Sequence, residues 1–287
     1  MERLRGILQR LPNCRHLTLD PDGLFGWKGD ALHSLAEAIA ILLNTMTDVG
    51  RELHKLEIRE FPASPSDGVS SRADELQVLT ARMSTPEGRL VWSGLHRLAI
   101  GFNIADHGLE DFVIKALEHS RRLSDLELNG YHGGLTEGLM KRMVLAASGC
   151  RLTRLEFLSA RCATDDFRVF LDQHHRTLRT FIFKSVHLHE GGWVAVLKDL
   201  SAGFPALRGF ELAWMKEDSP GKSFVDGMLR FPGLAEDVTA AEQQGWRFPW
   251  VGRWGNEPAG PQALGWSGPG VHAALERLVH CAVTKEP

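Results

Sequence analysis

The sequence lacks the long apolar runs and the basic excess that mark two large classes of proteins. No run approaches the ~18 apolar residues needed to cross a bilayer. The first residues, MERLRGILQRLPNC, include an apolar stretch broken by Gln9 and Arg10, which argues against a signal peptide. The 33 Lys and Arg residues are balanced by 36 Asp and Glu residues, and a net charge of -3 argues against general nucleic-acid binding. We expect a cytoplasmic or nuclear protein that binds neither membranes nor nucleic acid.

Cysteines are few, and recognisable catalytic motifs are missing. The cysteines are Cys14, Cys150, Cys162 and Cys281. They form no Cys-x-x-Cys pair and no zinc spacing, so we expect buried free thiols in a reducing compartment. The sequence contains no Gly-x-Ser-x-Gly, no phosphate-binding loop ending in Lys-Ser/Thr and no His-Glu-x-x-His. We therefore predict no catalytic residue, no cofactor and no metal; an enzyme with an unrecognised site in the tail is an alternative.

What the sequence does contain is a recurring Leu-x-x-Leu-x-Leu frame. The seven frames begin at Cys14, Leu53, Leu95, Leu123, Leu152, Leu178 and Leu207. The last four intervals are 28, 29, 26 and 29 residues. The segments after the later frames carry apolar residues mainly at helical spacing, and Thr164 is predicted to cap one of these helices. Each unit is thus predicted to be a short strand, a turn and a helix.

This pattern resembles the leucine-rich repeat family, and within it the longer, helix-bearing ribonuclease-inhibitor-like class. The resemblance covers roughly residues 11–214 and includes Asn103 in the ninth position and Cys162 and Leu188 in the inward eleventh position. It implies an α/β leucine-rich-repeat solenoid, a horseshoe with a parallel concave sheet and outer helices. The ninth position is not asparagine in the later repeats, so their turn backbone groups need other partners.

The last quarter of the chain breaks this rhythm. We expect residues 1–214 to form the solenoid, and residues 215–287 to form an irregular Trp/Gly/Pro-rich extension with a capping helix. Within it, FVDGMLRF is predicted to be a helical turn. The first three tryptophans after it are Trp246, Trp250 and Trp254. Their spacing suggests a helix, but Pro249 and Gly252 argue against one. Either the indoles pack on the last repeat, or they form an aromatic protein-binding segment.

The concave face is the surface on which we expect a partner to bind. Alternate residues of a strand share a face, so the third, fifth and seventh frame residues should lie opposite the apolar fourth and sixth. The predicted protein-binding residues there are Arg97, Asp125, Glu127, Asn129, Arg154, Glu156 and Lys184. Glu127 and Glu156 are expected to be neighbours, with the two arginines relieving their repulsion. A solvated charge ladder is the alternative to a docking surface whose mixed charge gives specificity.

Several histidines lie close together in the sequence, as metal ligands often do. The stretch HLHE contains His187 and His189, which we expect to face solvent on either side of an inward leucine. Arg161 should lie in the same row as His187, and a guanidinium group there disfavours a cation site. The histidine pair at 174–175 and the aspartate pair at 165–166 are predicted to be solvated helix ends, where their charges suit the helix dipole.

These features favour a monomeric, non-enzymatic protein-interaction module that binds another protein through its concave face. The chain is also similar to fungal F-box/leucine-rich-repeat proteins in its irregular repeats and loop-rich C-terminal extension, although no F-box is visible. That resemblance implies a substrate-receptor-like part of a ubiquitin-ligase adaptor. The alternative is a leucine-rich-repeat regulator of a GTPase, for which Asn103 or Arg161 would supply the side chain at the loop rim.

Overall fold

The chain belongs to the α/β class, as predicted, because strands and helices alternate along most of it. A computed structural model describes residues 2–11, 13–19, 35–58, 80–101, 107–130, 137–218, 229–231, 245–250 and 263–284. Two compact units are present, Met1–Gly134 with Leu145–Arg151, and Leu135–Val144 with Leu152–Pro287. Among the described residues, no helix combines the length and the apolar character needed to span a bilayer.

The first unit contains four parallel strands in the order of their sequence. The strands are β1 (His16–Leu19), β2 (Lys55–Ile58), β3 (Arg97–Gly101) and β4 (Asp125–Asn129). The helices are α1 (Glu2–Arg10), α2 (Leu35–Val49), α3 (Pro86–Ser93) and α4 (His107–His119). His16 lies opposite Lys55, Lys55 opposite Arg97, and Arg97 opposite Asp125. The third residues of successive frames are therefore in register, as a repeat requires.

The second unit contains the remaining three frames and the C-terminal hairpin. Its strands are β5 (Arg154–Leu158), β6 (Arg161–Ala163), β7 (Thr180–Lys184), β8 (His187–His189), β9 (Gly209–Ala213), β10 (Lys216–Glu217), β11 (Leu229–Arg230), β12 (Trp246–Trp250), β13 (Ala263–Ser267) and β14 (Val283–Thr284). Its helices are α6 (Thr164–Gln173), α7 (Trp193–Gly203) and α8 (Val271–Cys281), and α5 (Glu137–Ala146) has residues in both units. β5, β7 and β9 are parallel neighbours.

The apolar fourth and sixth frame residues form the interior, as predicted. Leu17 and Leu19 of the first frame are only half-buried, and those that are fully buried are Leu56, Leu98, Ile100, Leu126, Leu128, Leu155, Phe157, Phe181 and Phe183. Burying such a side chain stabilises the fold by about 1.5–3 kcal/mol. In the second unit phenylalanine occupies four of these six positions, and the rings of Phe157 and Phe183 stack with centroids 6.0 Å apart. Because strand residues alternate between faces, this burial leaves the third and fifth residues on the opposite face.

Each frame of the second unit leaves its strand through the same turn. The residue after the strand has a left-handed backbone, with φ of 55° at Ser159, 54° at Ser185 and 51° at Trp214. The Ser185 N–H donates to the carbonyl of Ala213 at 2.8 Å, and the His187 N–H donates to Ala160 at 2.7 Å. β6, β8 and β10 then form a second parallel sheet. Backbone pairing between turns thus replaces an asparagine ladder.

The starts of two helices differ in how they are capped. Thr164 is the first residue of α6 and does not cap it, so that prediction is wrong: its hydroxyl donates to the carbonyl of His189 at 3.0 Å. At α7, Gly192 occupies the cap position, and the Trp193 N–H donates to Glu217 Oε2 at 2.8 Å. A carboxylate at a helix N-terminus also interacts favourably with the helix dipole.

The C-terminal part is regular where the structure describes it, so the expected irregular extension is corrected there. β13 pairs antiparallel with β9, and β12 pairs antiparallel with β13. Leu229–Arg230 is a strand paired with β14, so the predicted helical turn is wrong at these residues. The predicted C-terminal helix is confirmed as α8, and His272 Nδ1 lies 2.9 Å from the Ser201 carbonyl oxygen of α7. Hydrogen bonding to β9 explains why this part belongs to the second compact unit.

Candidate functional site

The polar face of the first unit is organised around the guanidinium group of Arg97. Its Nε donates a hydrogen bond to Glu57 Oε1 at 2.9 Å, and its Nη2 donates to Glu127 Oε2 at 2.8 Å. Its Nη1 donates to Asp125 Oδ2. Lys55 adds a second cation, with Nζ 2.9 Å from Glu57 Oε1. These contacts confirm that third and fifth frame residues share one face.

The charge state of this Arg97 cluster follows from its contacts. Burial alone would raise the pKa of Glu57, but hydrogen bonds and charges from Lys55 and Arg97 outweigh burial and lower it. Burial would lower the pKa of Arg97, and its carboxylate neighbours raise it instead. Among the described residues, the carboxylates of Glu57, Asp125 and Glu127 thus contact two cations, Arg97 and Lys55.

The polar face of the second unit carries two further ion pairs. Arg154 Nη2 lies 2.6 Å from Glu156 Oε2, two residues along the same strand. Lys184 Nζ lies 2.8 Å from Glu211 Oε1 on the neighbouring strand β9. The expectation that Arg97 and Arg154 each compensate a glutamate is confirmed. Charged side chains that are already held by partners lose less freedom on docking than free ones.

The second unit also has an open groove of about 840 Å³ on its main sheet. Its lining includes Thr180, Ile182, Arg208, Glu211, Arg247 and Ser267. Gly209 and Gly265 also line it and contribute no side chain. The groove thus joins the last parallel strands to the antiparallel hairpin, and it combines exposed arginines with an aliphatic side chain and two hydroxyl groups.

Three residues predicted to bind a partner are buried. Asn129, the last residue of β4, is 7% exposed, and Glu156 on β5 is 9% exposed. Trp246 is 3% exposed and packs edge-on against Trp266, with ring centroids 5.4 Å apart. This packing agrees with the interpretation in which a tail indole supports the last repeat. The other predicted tail residues are Trp250, which ends β12, and Trp254, which lies outside the described residues.

The two histidines of HLHE are also buried, contrary to the expectation that they face solvent. His187 and His189 lie on β8, the central strand of the small sheet, which explains their burial. His187 Nε2 is 2.7 Å from Asp218 Oδ1. Burial lowers the pKa of His187, and Asp218 offsets only part of this effect. Arg161 is exposed and lies opposite His187, in the predicted row.

The prediction of solvated helix ends is confirmed for Asp165 and wrong for His174. Asp165 is exposed in the first turn of α6, as predicted. His174 is 1% exposed, and its ring meets Phe170 edge-on with centroids 5.2 Å apart, so the prediction of a solvated residue is wrong. Neither ring nitrogen has a hydrogen-bond partner among the described residues. Burial lowers the pKa of His174 to about 4, and the ring is uncharged at neutral pH.

The cysteines are free, and two of them are deeply buried as predicted. Burial raises the pKa of Cys150 to about 11 and that of Cys162 to about 12. Cys14 and Cys281 are only half-buried. Since the thiolate is the reactive form, Cys150 and Cys162 are poor nucleophiles at neutral pH.

Several residues of these surfaces were not among the predicted binding residues. Glu57 and Glu211 occupy fifth frame positions, so the frame places them on the polar face, but neither was selected as a binding residue. Arg247 gave no such signal, because β12 lies in a stretch whose Gly and Pro content did not predict a strand. The groove depends on this strand and was therefore not predicted.

Comparison with models of known protein families and with curated proteins gave no match. Within the described residues, no group of three or more His, Cys, Asp or Glu side chains is arranged to hold a metal ion. The functional assignment therefore depends on the polar faces and the groove.

Proposed function

We propose that this chain is a non-enzymatic protein-interaction module that docks another protein on the polar face of its parallel strands. The observation that carries the proposal is the set of fixed ion pairs on these strands, Arg97 with three carboxylates in the first unit and Lys184 with Glu211 in the second. This fixed, partly exposed array of charges presents a defined pattern to a partner. Electrostatic complementarity of this kind contributes mainly to specificity and association rate.

We further propose that the repeating units form a leucine-rich-repeat solenoid of horseshoe shape. Four observations support it: the last five frames recur at intervals of 26–29 residues, each frame is a strand, neighbouring frames are parallel and in register within each unit, and helices follow the strands. Strands with aligned frames stack their apolar residues into one continuous interior. In such a solenoid the third and fifth frame residues line the concave side.

The experiment is a charge swap that changes the pattern of the face and keeps the net charge. In K184E/E211K, an ion pair between β7 and β9 is retained with reversed polarity. The matched control is K115E/E118K on α4, which reverses the exposed pair whose Nζ and Oε2 atoms lie 2.6 Å apart. The two pairs have similar exposure, 30%/31% and 37%/37% for the two side chains. Both variants should therefore fold like the wild type, which circular dichroism verifies.

Affinity purification from the native cell, followed by quantitative mass spectrometry, then compares the proteins captured by the three chains. We expect a partner that is enriched by the wild type and by K115E/E118K and is lost with K184E/E211K. Equal capture by all three chains would count against docking on the polar face. Loss with both variants would mean that capture depends on overall charge distribution and not on this face.

A further inference from the structure

The sheet that lines the groove of the second unit has a glycine at its centre. Ile182 lies opposite Glu211, Glu211 opposite Gly265, and Gly265 opposite Arg247, in one row across four strands. At ~4.8 Å per strand this row spans ~15 Å. A Cβ atom at Gly265 would lie 2.9 Å from the carbonyl oxygen of Phe210, which is too close for an unstrained contact. Close approach of β13 to β9 therefore requires glycine at the centre of the groove.

The charges in this groove are unbalanced. Arg208 and Arg247 are exposed, and neither forms an ion pair with a carboxylate among the described residues. Glu211 is the acidic residue of the lining, and Lys184 engages it at 2.8 Å. Within the described part of the chain, two guanidinium groups of the groove thus have no carboxylate partner. The groove therefore favours an anionic ligand, and each arginine offers the planar fork that binds a carboxylate through two hydrogen bonds.

The shape of the groove indicates what kind of anion fits it. A volume of about 840 Å³ exceeds what a single small anion fills and lies within the range of ~300–1,000 Å³ typical of ligand sites. A row of ~15 Å accommodates about five residues of extended chain. Thr180 and Ser267 can hydrogen-bond a peptide backbone, and Ile182 offers an apolar contact.

We propose that this groove binds an acidic, extended segment of the protein partner, with Arg208 and Arg247 holding its carboxylates. The inference rests on the proposed function, because it specifies the chemistry of the partner that is proposed to bind the polar face. Free phosphate shares the negative charge but not the length, so the two sources can be distinguished by competition.

The test uses fluorescence anisotropy with the full chain and a fluorescein-labelled Glu-Ser repeat peptide of about six residues. Its uncharged counterpart is the Gln-Ser peptide of the same length. The variant R208A/R247A removes both guanidinium groups. The variant R208Q/R247Q also removes both positive charges, but it keeps polar side chains that are longer than alanine. The matched control is R121A/R122A, which removes two exposed arginines from a turn of the first unit. Thermal unfolding verifies that all variants are folded.

We expect the Glu-Ser peptide to bind the wild type and R121A/R122A equally, and both groove variants at least about tenfold more weakly. We also expect the Gln-Ser peptide to bind weakly, and the affinity of the Glu-Ser peptide to fall with added salt. Equal binding by the groove variants, or by the Gln-Ser peptide, would overturn the proposal. Displacement by inorganic phosphate as effective as by unlabelled Glu-Ser peptide would also overturn it, because the site would then hold a single anion.

This result is separate from the test of the proposed function. If K184E/E211K loses its partner while no acidic peptide binds the groove, the results support the interaction module and contradict the acidic-segment proposal. If the Glu-Ser peptide binds through the two arginines while partner capture does not depend on Lys184 and Glu211, the results support a peptide site in the groove. They then contradict docking on the polar face of the parallel strands.

Discussion

At the scale of single residues, His174 is an ionisable side chain that the fold keeps uncharged. Its pKa is near 4 in the folded protein and has the ordinary value of 6.5 in the unfolded chain. Between these two values the unfolded chain binds a proton more readily than the folded protein does. The free energy of unfolding should therefore fall as the pH drops below about 6.5, and this contribution stays constant above that pH.

The prediction for His174 is a stability difference that depends on pH. We expect H174L to lose less stability than the wild type on going from about pH 7.5 to about pH 5, by about 2 kcal/mol, because leucine cannot bind a proton. Urea unfolding at the two pH values measures this difference, and comparison with H175L, at a more exposed neighbouring histidine, provides the control. Identical pH dependence in H174L and the wild type would contradict the assignment.

Arg97 is the residue on which the polar face of the first unit depends most. We expect R97A to lower the free energy of unfolding by about 1–3 kcal/mol, because Glu57, Asp125 and Glu127 would then repel one another without their shared cation. R97K should recover part of the loss, since a lysine keeps the charge but not the three-way hydrogen bonding.

The stability deficit of R97A should depend on salt, and the contribution of Glu57 to stability should depend on pH. Added salt screens repulsion between the carboxylates, so the deficit of R97A should shrink at high ionic strength. The pKa of Glu57 is lowered in the folded protein, so its contribution is present above pH 4.5 and is lost as the pH falls through its folded value. Urea unfolding of the wild type and of R97A, with and without salt, measures both effects. A deficit that does not respond to salt would show that Arg97 acts through packing alone.

At the scale of elements, the left-handed turn after each strand of the second unit is where the backbone is most constrained. Ser185 has φ of 54°, and its N–H donates to Ala213 at 2.8 Å. We expect S185V to lower the free energy of unfolding by about 1–2 kcal/mol, because a β-branched residue tolerates this conformation poorly. S185G should raise the free energy of unfolding by up to ~1 kcal/mol, because glycine adopts this conformation without strain.

A control for the turn is the same change in a helix. S201G in α7 should lower the free energy of unfolding by about 0.5–1 kcal/mol, because glycine is unfavourable inside a helix. Opposite signs for S185G and S201G in urea unfolding would support the turn assignment. If both changes destabilise the protein by similar amounts, the left-handed conformation at Ser185 is not a source of strain.

The elements that the sequence predicts best are those whose side chains alternate or repeat. The frames predicted all seven strands, and apolar spacing predicted α4 to α7, because in both cases one face is buried. The turns were not predicted in detail, since their hydrogen bonds join backbone groups that follow neighbouring frames, as between Ser185 and Ala213. The hairpin of β12 and β13 was missed because a strand containing Pro249, near Gly245 and Gly252, violates the composition expected of strands.

Side-chain partners were predictable only where register follows from the frame. Arg97 and Glu127 could be placed on one face because frames align residue by residue. His187 and His174 could not be placed correctly. The burial of His187 depends on a second sheet formed by residues after the frame, and that of His174 depends on its contact with Phe170.

At the scale of the whole molecule, the polar face of the first unit and the groove of the second unit differ in how their arginines are paired. In the Arg97 cluster, the guanidinium group is held by three carboxylates, whereas the groove of the second unit presents Arg208 and Arg247 without carboxylate partners among the described residues. The fourth and sixth frame positions must be apolar to fill the core, but the third and fifth are free to vary. A repeat protein can therefore keep its interior constant while its surface is adapted to one partner.

The proposed solenoid makes a prediction about overall dimensions. A compact chain of 287 residues should have a radius of gyration of ~19 Å. A curved row of stacked repeats is longer in one direction, so we expect small-angle X-ray scattering to give a clearly larger value and an asymmetric distribution of interatomic distances. Matched concentrations separate this elongation from association, because the forward scattering reports the mass of a monomer. A symmetric distribution with a radius of gyration of ~19 Å would contradict the horseshoe and leave only the α/β class in place.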